Sequence, residues 1–398
     1  MSRIKIILLG LFIILVALVS AQDEYIERPV TISFFPPLST NGMEFWKVRT
    51  KFSLSVIGGA VGQLEGFELA SVFSIEKDMA RGFQTSGAFN LILGSFEGVH
   101  LTGGANIVGK NLEGIQMTGG ANIVGENGKG IQLAGGANIL GKELEGIQGS
   151  GGANIVGKNF KGIQIAGGAN IIGEMNDGIQ LAGGANIVGK SMKGLQIAGG
   201  VNIVGEEFNG LQIAPVNIAK SVKGFQLGVV NISEKMEGEA LGVVTLTKNG
   251  QFHINVWADE VAPFNIGFKL GTKRIYNIYG FGMKLSSDSV FFISTGGLGW
   301  HLPLNQFFMN FEATGGSMRS GFSFRNWENT VLSRLRIIGG WQVIPRLAIT
   351  VGPTINVFVS KERDGSDLPM FDANIYSTRS EDWWVRIWPG IAIGIQLF

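Results

Sequence analysis

The chain of 398 residues carries 16% charged residues and a net charge of +1, with 61 glycines and 27 phenylalanines. A disordered chain would be highly charged and poor in aromatics, so this composition belongs to a folded, turn-rich, all-β protein. With neither a basic tract nor an acidic tail there is no reason to expect a nucleic-acid partner, and the lack of cysteine excludes disulfides, thiolate metal sites and lipid attachment at a cysteine.

Arg3 and Lys5 precede an apolar run from Ile6 to Val19, and Ser20 and Ala21 lead into the polar Gln22-Asp23-Glu24. That layout predicts a secretory signal peptide over residues 1–21. The run is shorter than the roughly 18 to 20 residues a membrane-spanning helix needs, and export without cysteine suits a bacterial envelope protein. Residues 22–47 read as an N-terminal strand and linker: Val30-Thr-Ile-Ser-Phe-Phe35, closed by Pro36-Pro37 and the turn residues Ser39 to Gly42. The strand around Ile32 is a candidate for closing a membrane barrel, and if it crosses outward the segment after it is displayed outside the cell.

Residues 48–245 form the repeat. One unit, Gly114-Ile-Gln-Met-Thr-Gly-Gly-Ala-Asn122-Ile-Val-Gly followed by four polar residues, recurs about a dozen times. Its first glycine keeps a period of 16 from Gly66 to Gly210, then steps by 14 to Gly224 and Gly238. Short fixed-period repeats are stacked units, none able to bury its own apolar face alone. Gln116, Gln132, Gln164, Gln180 and Gln196 share one column, in which His100 takes a turn, and Asn106, Asn122, Asn138, Asn154, Asn170, Asn186 and Asn202 share another. Stacked amides satisfy one another, which predicts internal ladders. A mostly apolar column, including Leu112, Phe160 and Met192, stands two residues before the repeat glycine; Gly128 and Asn176 break it.

The change of period discriminates between architectures. Gln116 and Asn122 are six residues apart, Gln212 and Asn217 five. A continuous membrane strand would turn its two amides to opposite faces after that change, whereas a flattened coil shortens both sides together. The expectation is a β-solenoid of 11 or 12 coils, ~55 Å long at ~4.8 Å per coil, rather than a transmembrane meander.

Residues 246–398 change texture: seven of the eight tryptophans follow residue 250. Alternating segments recur from Gln251 to Trp257 through to Trp383 to Phe398, joined by short turns such as Leu304-Asn305 and Ile344-Pro345 and by longer polar connections, above all Lys361 to Glu381. This predicts an outer-membrane-type antiparallel β-barrel of about eight to ten strands.

The Gly-Ile-Gln-x-Ala-Gly-Gly-Ala-Asn-Ile-Val-Gly units, the segment Phe34-Phe-Pro-Pro-Leu-Ser-Thr-Asn-Gly42 and Ala258-Asp-Glu-Val261 together resemble a family of surface-repeat outer-membrane proteins of Gram-negative bacteria. The resemblance covers nearly all of the mature chain and implies a place on the outer surface. Phe398 ends the chain as in many barrels recognised by the barrel assembly machinery, although Gln396, Gly394 and Ala392 hold the places in phase with it.

Of the three histidines, His100 sits in the glutamine column and His253 and His301 in alternating strands; no Gly-x-Ser-x-Gly or His-Glu-x-x-His element occurs. The sequence therefore reads as a non-enzymatic outer-membrane surface protein without cofactor or metal, displaying a rigid solenoid as a structural, interaction or adhesion module. Its expected partners are outer-membrane lipid, the barrel assembly machinery and an extracellular protein or glycan ligand. The alternative is a large pore in which the repeats are themselves membrane strands; for the solenoid, surface exposure is the expectation and a periplasmic place stays open beside it.

Overall fold

The structure, a computed structural model, describes residues 24–285, 290–320, 330–361, 374–380 and 383–398. The expected signal segment at residues 1–21 lies outside these, as does most of the connection from Lys361 to Glu381. The chain divides into two compact units, Met1–Gly200 and Val201–Phe398. The boundary falls inside the repeat, just before its period shortens.

In the first unit each 16-residue coil holds two short strands. Leu112–Thr118 carries a glutamine and Ala121–Val124 an asparagine. Each pairs in parallel with its copy in the next coil, Gln116 against Gln132 and Asn122 against Asn138. Side chains alternate across a strand, so Gln116 and Asn122 point inward, fully buried, while Met117 is exposed. The coil strands belong to one sheet of 28 strands, a β-solenoid of about 12 turns. A membrane meander would pair successive repeats antiparallel, so the reading of the repeats as membrane strands is overturned.

The strand Val30–Phe35 also belongs to the solenoid, pairing in parallel with Val48–Ser55. This corrects the expectation that it closes the barrel. The short strand Leu38–Ser39 folds back against it antiparallel. Coil stacking rests on the repeat glycine: Gly130 has φ +131°, and a β-carbon there would lie 1.9 Å from the carbonyl oxygen of Gly114. Only glycine permits both the conformation and the approach. The apolar column two residues earlier is core, with Phe96, Leu112, Phe160 and Met192 all buried.

In the second unit the final coils have 14 residues, and Asn217 stacks on Asn231 and Gln212 on Gln226. The last coil strand, Val244–Thr247, leads directly to the barrel. The barrel strands are β1 (Gln251–Asp259), β2 (Phe264–Gly271), β3 (Ile275–Leu285), β4 (Val290–Leu304), β5 (Phe307–Ser320), β6 (Thr330–Ile344), β7 (Leu347–Ser360) and β8 (Trp384–Leu397). Every neighbour is antiparallel, and β1 pairs with both β2 and β8, closing eight strands. A short strand, Tyr376–Arg379, adds to the start of β8.

Alternation sorts these strands cleanly. In β6, Val331, Leu335 and Ile337 face out and are exposed, while Leu332, Arg334 and Arg336 are buried within. In β8, Ile391, Ile393 and Ile395 face out and Arg386 and Gln396 face in. An apolar wall around a polar interior is the arrangement of outer-membrane-type barrels. No helix among the described residues is long and apolar enough to cross a membrane.

Candidate interaction surfaces and the barrel interior

The solenoid interior is built from two amide ladders of opposite polarity. Gln132 Nε2 donates to Gln116 Oε1 at 2.9 Å, and the same bond recurs from Gln148 to Gln132 (2.8 Å), Gln164 to Gln148 (2.7 Å), Gln180 to Gln164 (3.0 Å) and Gln196 to Gln180 (2.7 Å). The asparagines donate the other way, Asn106 to Asn122 at 3.0 Å, Asn122 to Asn138 and Asn138 to Asn154 at 2.8 Å, Asn154 to Asn170 and Asn170 to Asn186 at 2.9 Å. Each asparagine amide also reaches a main-chain carbonyl in the next coil, as Asn122 does at Leu133 and Asn186 at Ile197. In the second unit Asn202 continues to Asn217 at 3.0 Å. An amide with partners above, below and beside it avoids the ~1 to 3 kcal/mol cost of a buried unpaired group.

Sequence reasoning missed how the ladders begin. Glu68 stands in the glutamine column, accepting from Gln84 Nε2 at 2.9 Å and Ser53 Oγ at 3.0 Å. Ser74 stands in the asparagine column and donates to Asn90 at 2.8 Å. A row of amides that all donate toward the N-terminus must end on an acceptor there, and Glu68 supplies one. The signal was present in the degenerate first copies, where acid and hydroxyl replace amide.

Outside, the first unit's repeat is apolar on its broad faces. Phe52, Phe67 and Phe83 stack with ring centroids 5.7 and 5.3 Å apart, and their column continues through Val99 and Ile115 to Leu195. Beside it, a groove of about 550 Å³ runs between Leu101, Met117 and Leu133 and a row of hydroxyls at Ser86, Thr102, Thr118 and Ser150. Gly149 stands in that row between Leu133 and Ile165, and the Leu133 side chain reaches over it. Surface charge lies along the coil edge, where ion pairs span successive coils: Arg81 to Glu97 at 2.6 Å, Lys190 to Glu174 at 2.9 Å, Lys142 to Glu126 at 3.4 Å. Exposed pairs of this kind contribute only ~0 to 1 kcal/mol each.

The barrel interior is filled. Glu312 meets Lys269 at 2.7 Å and Arg336 at 2.8 Å and accepts from the Tyr276 hydroxyl at 2.9 Å. Asp259 pairs with Arg334 at 2.7 Å and accepts from the main-chain N–H groups of Val261 and Ala262. Glu260 takes bonds from Thr354, Asn356 and the Ile391 N–H. Toward the end with the longer connections, Val261, Ala262, Ile293, Leu332, Phe358 and Trp388 close the lumen as an apolar cluster. Between Trp257 and the Lys269–Glu312–Arg336 group remains a void of about 30 Å³, the room of roughly one water.

His100 lies fully buried in the glutamine column. His253 and His301 lie in the barrel, bonded to Gln396 at 3.0 Å and Asn310 at 2.8 Å and packed against Phe398 and Phe308. Among the described residues, the hydrogen-bond partners of these histidines are amides, with neither a serine nor a carboxylate bonded to them. Comparison with known protein families, characterised proteins and solved structures finds no match.

Proposed function

We propose that this is an outer-membrane protein in which the barrel is an anchor and the solenoid a rigid, non-enzymatic structural or interaction module. The observation that carries the reading is the pairing of an apolar barrel wall with a packed lumen. Strands of 14 or 15 residues, β4 to β8, exceed the ~9 to 11 a tilted membrane strand needs. Eight strands enclose an interior just wide enough for side chains to fill, and here buried ion pairs and the apolar cluster occupy it. Lipid of the outer membrane and the barrel assembly machinery are then the partners of the barrel, and the resemblance to surface-repeat proteins supports the same membrane.

The test joins fractionation to conductance. Expressed from residue 1, so that the expected leader is present, the protein should pellet with outer membranes and, unboiled, migrate faster in detergent gels than the heated form. Purified protein in planar bilayers should pass no solute of sugar size. Sugar-permeable conductance would replace the anchor by a transport function.

A further inference from the structure

The two ends of the barrel differ. At one end lie the connections of three residues between β2 and β3, two between β4 and β5 and two between β6 and β7. At the other lie connections of four residues between β1 and β2 and between β3 and β4, nine between β5 and β6, and twenty-three between β7 and β8. Register fixes where the rest of the chain attaches. Gln251 lies opposite Gly271 and Leu397 opposite both Ile254 and Leu347, so the start of β1 and the chain's last residues share the short-turn end.

The last coil strand stops at Thr247, three residues before β1 begins. The same coil is bonded to that end of the barrel. Asn277, near the start of β3, donates to the Gly242 carbonyl at 2.7 Å, and Thr272, in the short β2–β3 turn, donates to Glu239. The repeat therefore leaves the barrel on the short-turn side.

In outer-membrane barrels the short turns face the periplasm and the long loops face outward. Two routes to the other side are closed. The strand Val30–Phe35, which would have had to cross the membrane, is a solenoid strand. The lumen is blocked by Val261, Leu332, Phe358 and Trp388.

We infer that the solenoid lies in the periplasm, with the barrel's long connections outside the cell, so that the partner of the repeat is a periplasmic component and not an extracellular ligand. This rests on the outer-membrane reading above and decides for the periplasmic placement, which the sequence left open, against the surface display it favoured.

The cysteine-free chain makes single-cysteine labelling direct. Lys142→Cys and Lys161→Cys place a thiol on the exposed repeat edge, and Thr378→Cys places one on the exposed strand in the long β7–β8 connection. With a membrane-impermeant maleimide, Thr378→Cys should label on intact cells. The two repeat variants should label only after the outer membrane is permeabilised, each variant being checked for the heat-dependent gel shift of a folded barrel. Labelling of either repeat variant on intact cells would overturn the inference. So would protection of Thr378→Cys until permeabilisation. Absence from the outer-membrane fraction would instead sink the anchoring reading, so the two failures are distinguishable.

Discussion

His100 interrupts the glutamine ladder, and the interruption has a measurable sign. Its Nδ1 meets Gln116 Nε2 at 3.4 Å, while His100 Nε2 and Gln84 Oε1 are buried without a hydrogen-bond partner among the described residues. A glutamine there would donate to Gln84 and accept from Gln116, as Gln132 and Gln116 do one coil on. Burial holds the imidazole pKa down to about 3. Stability that depends on neutral His100 is fully present above the ordinary histidine value of ~6.5 and is lost as pH falls toward 3, at ~1.4 kcal/mol per pH unit. Glu76 has the opposite sign: burial first, then the neighbouring Glu68 carboxylate, raise its pKa well above the usual range. Its contribution is fully present below the ordinary carboxylate value and is lost as pH rises through the raised one. We predict that His100→Gln raises local stability by ~1 to 3 kcal/mol and removes the acid-side loss, while Glu76→Gln flattens the alkaline side. Hydrogen exchange of peptides spanning residues 70–118 in the full protein, followed from pH 5 to 9, reads both. Unchanged pH dependence in His100→Gln would contradict the ladder argument.

At the scale of the coil, the repeat glycine and the glycine two residues before it have different jobs. A β-carbon at Gly130 meets a main-chain oxygen that has nowhere to go, whereas one at Gly128 meets the side-chain tips of Leu140 and Leu144 at 2.6 and 2.8 Å, which can move. Gly130→Ala should therefore open exchange in the coils on either side by ~2 kcal/mol or more, and Gly128→Ala by less. Equal effects would mean that glycine is there for flexibility, not stacking. These columns were legible in the sequence because a stacked repeat writes the same contact at every coil, so Gln116 and Asn122 are repeated evidence of one environment. The barrel strands were legible for a related reason: alternation marks each one separately, and the expected segments Gln251 to Trp257 and Trp383 to Phe398 fall on β1 and β8, while a segment expected from Gln306 to Ala313 stops seven residues short of the end of β5. The lumen network was not. Lys269, Glu312 and Arg336 come together only through the registers of β2, β3, β4, β5 and β6, and no sequence spacing encodes that meeting. The inward phase of their charges, against an outward phase of isoleucine and leucine, was the one signal available.

At the scale of the whole molecule, the proposed anchor holds a rigid repeat only if the joint between last coil and barrel is itself fixed, and Lys248, Asn249 and Gly250 are its covalent connection. They are held closely. Asn249 bonds both the N–H and the carbonyl of Met236, at 2.8 and 3.0 Å, and takes the Thr247 hydroxyl at 2.9 Å, while Lys248 pairs with Glu234 at 3.0 Å. Beside them Asn277 and Tyr279, on the outer wall of β3, bond the carbonyls of Gly242 and Val243. A short segment held by side-chain bonds to main-chain groups does not swivel, because each bond fixes a direction as well as a distance. Removing the outer-wall bonds should loosen the joint without unfolding either part, since neither side chain takes part in the lumen network. We predict that the parent protein resists trypsin after Lys248 because its main chain is held, although the side chain is exposed, and that Asn277→Ala combined with Tyr279→Phe leaves the heat-dependent gel shift of the barrel in place but lets trypsin cleave there, with separation into a repeat fragment and a barrel fragment. If the double variant stays as resistant as the parent, Asn249 alone holds the joint, and Asn249→Ala becomes the substitution that must release it.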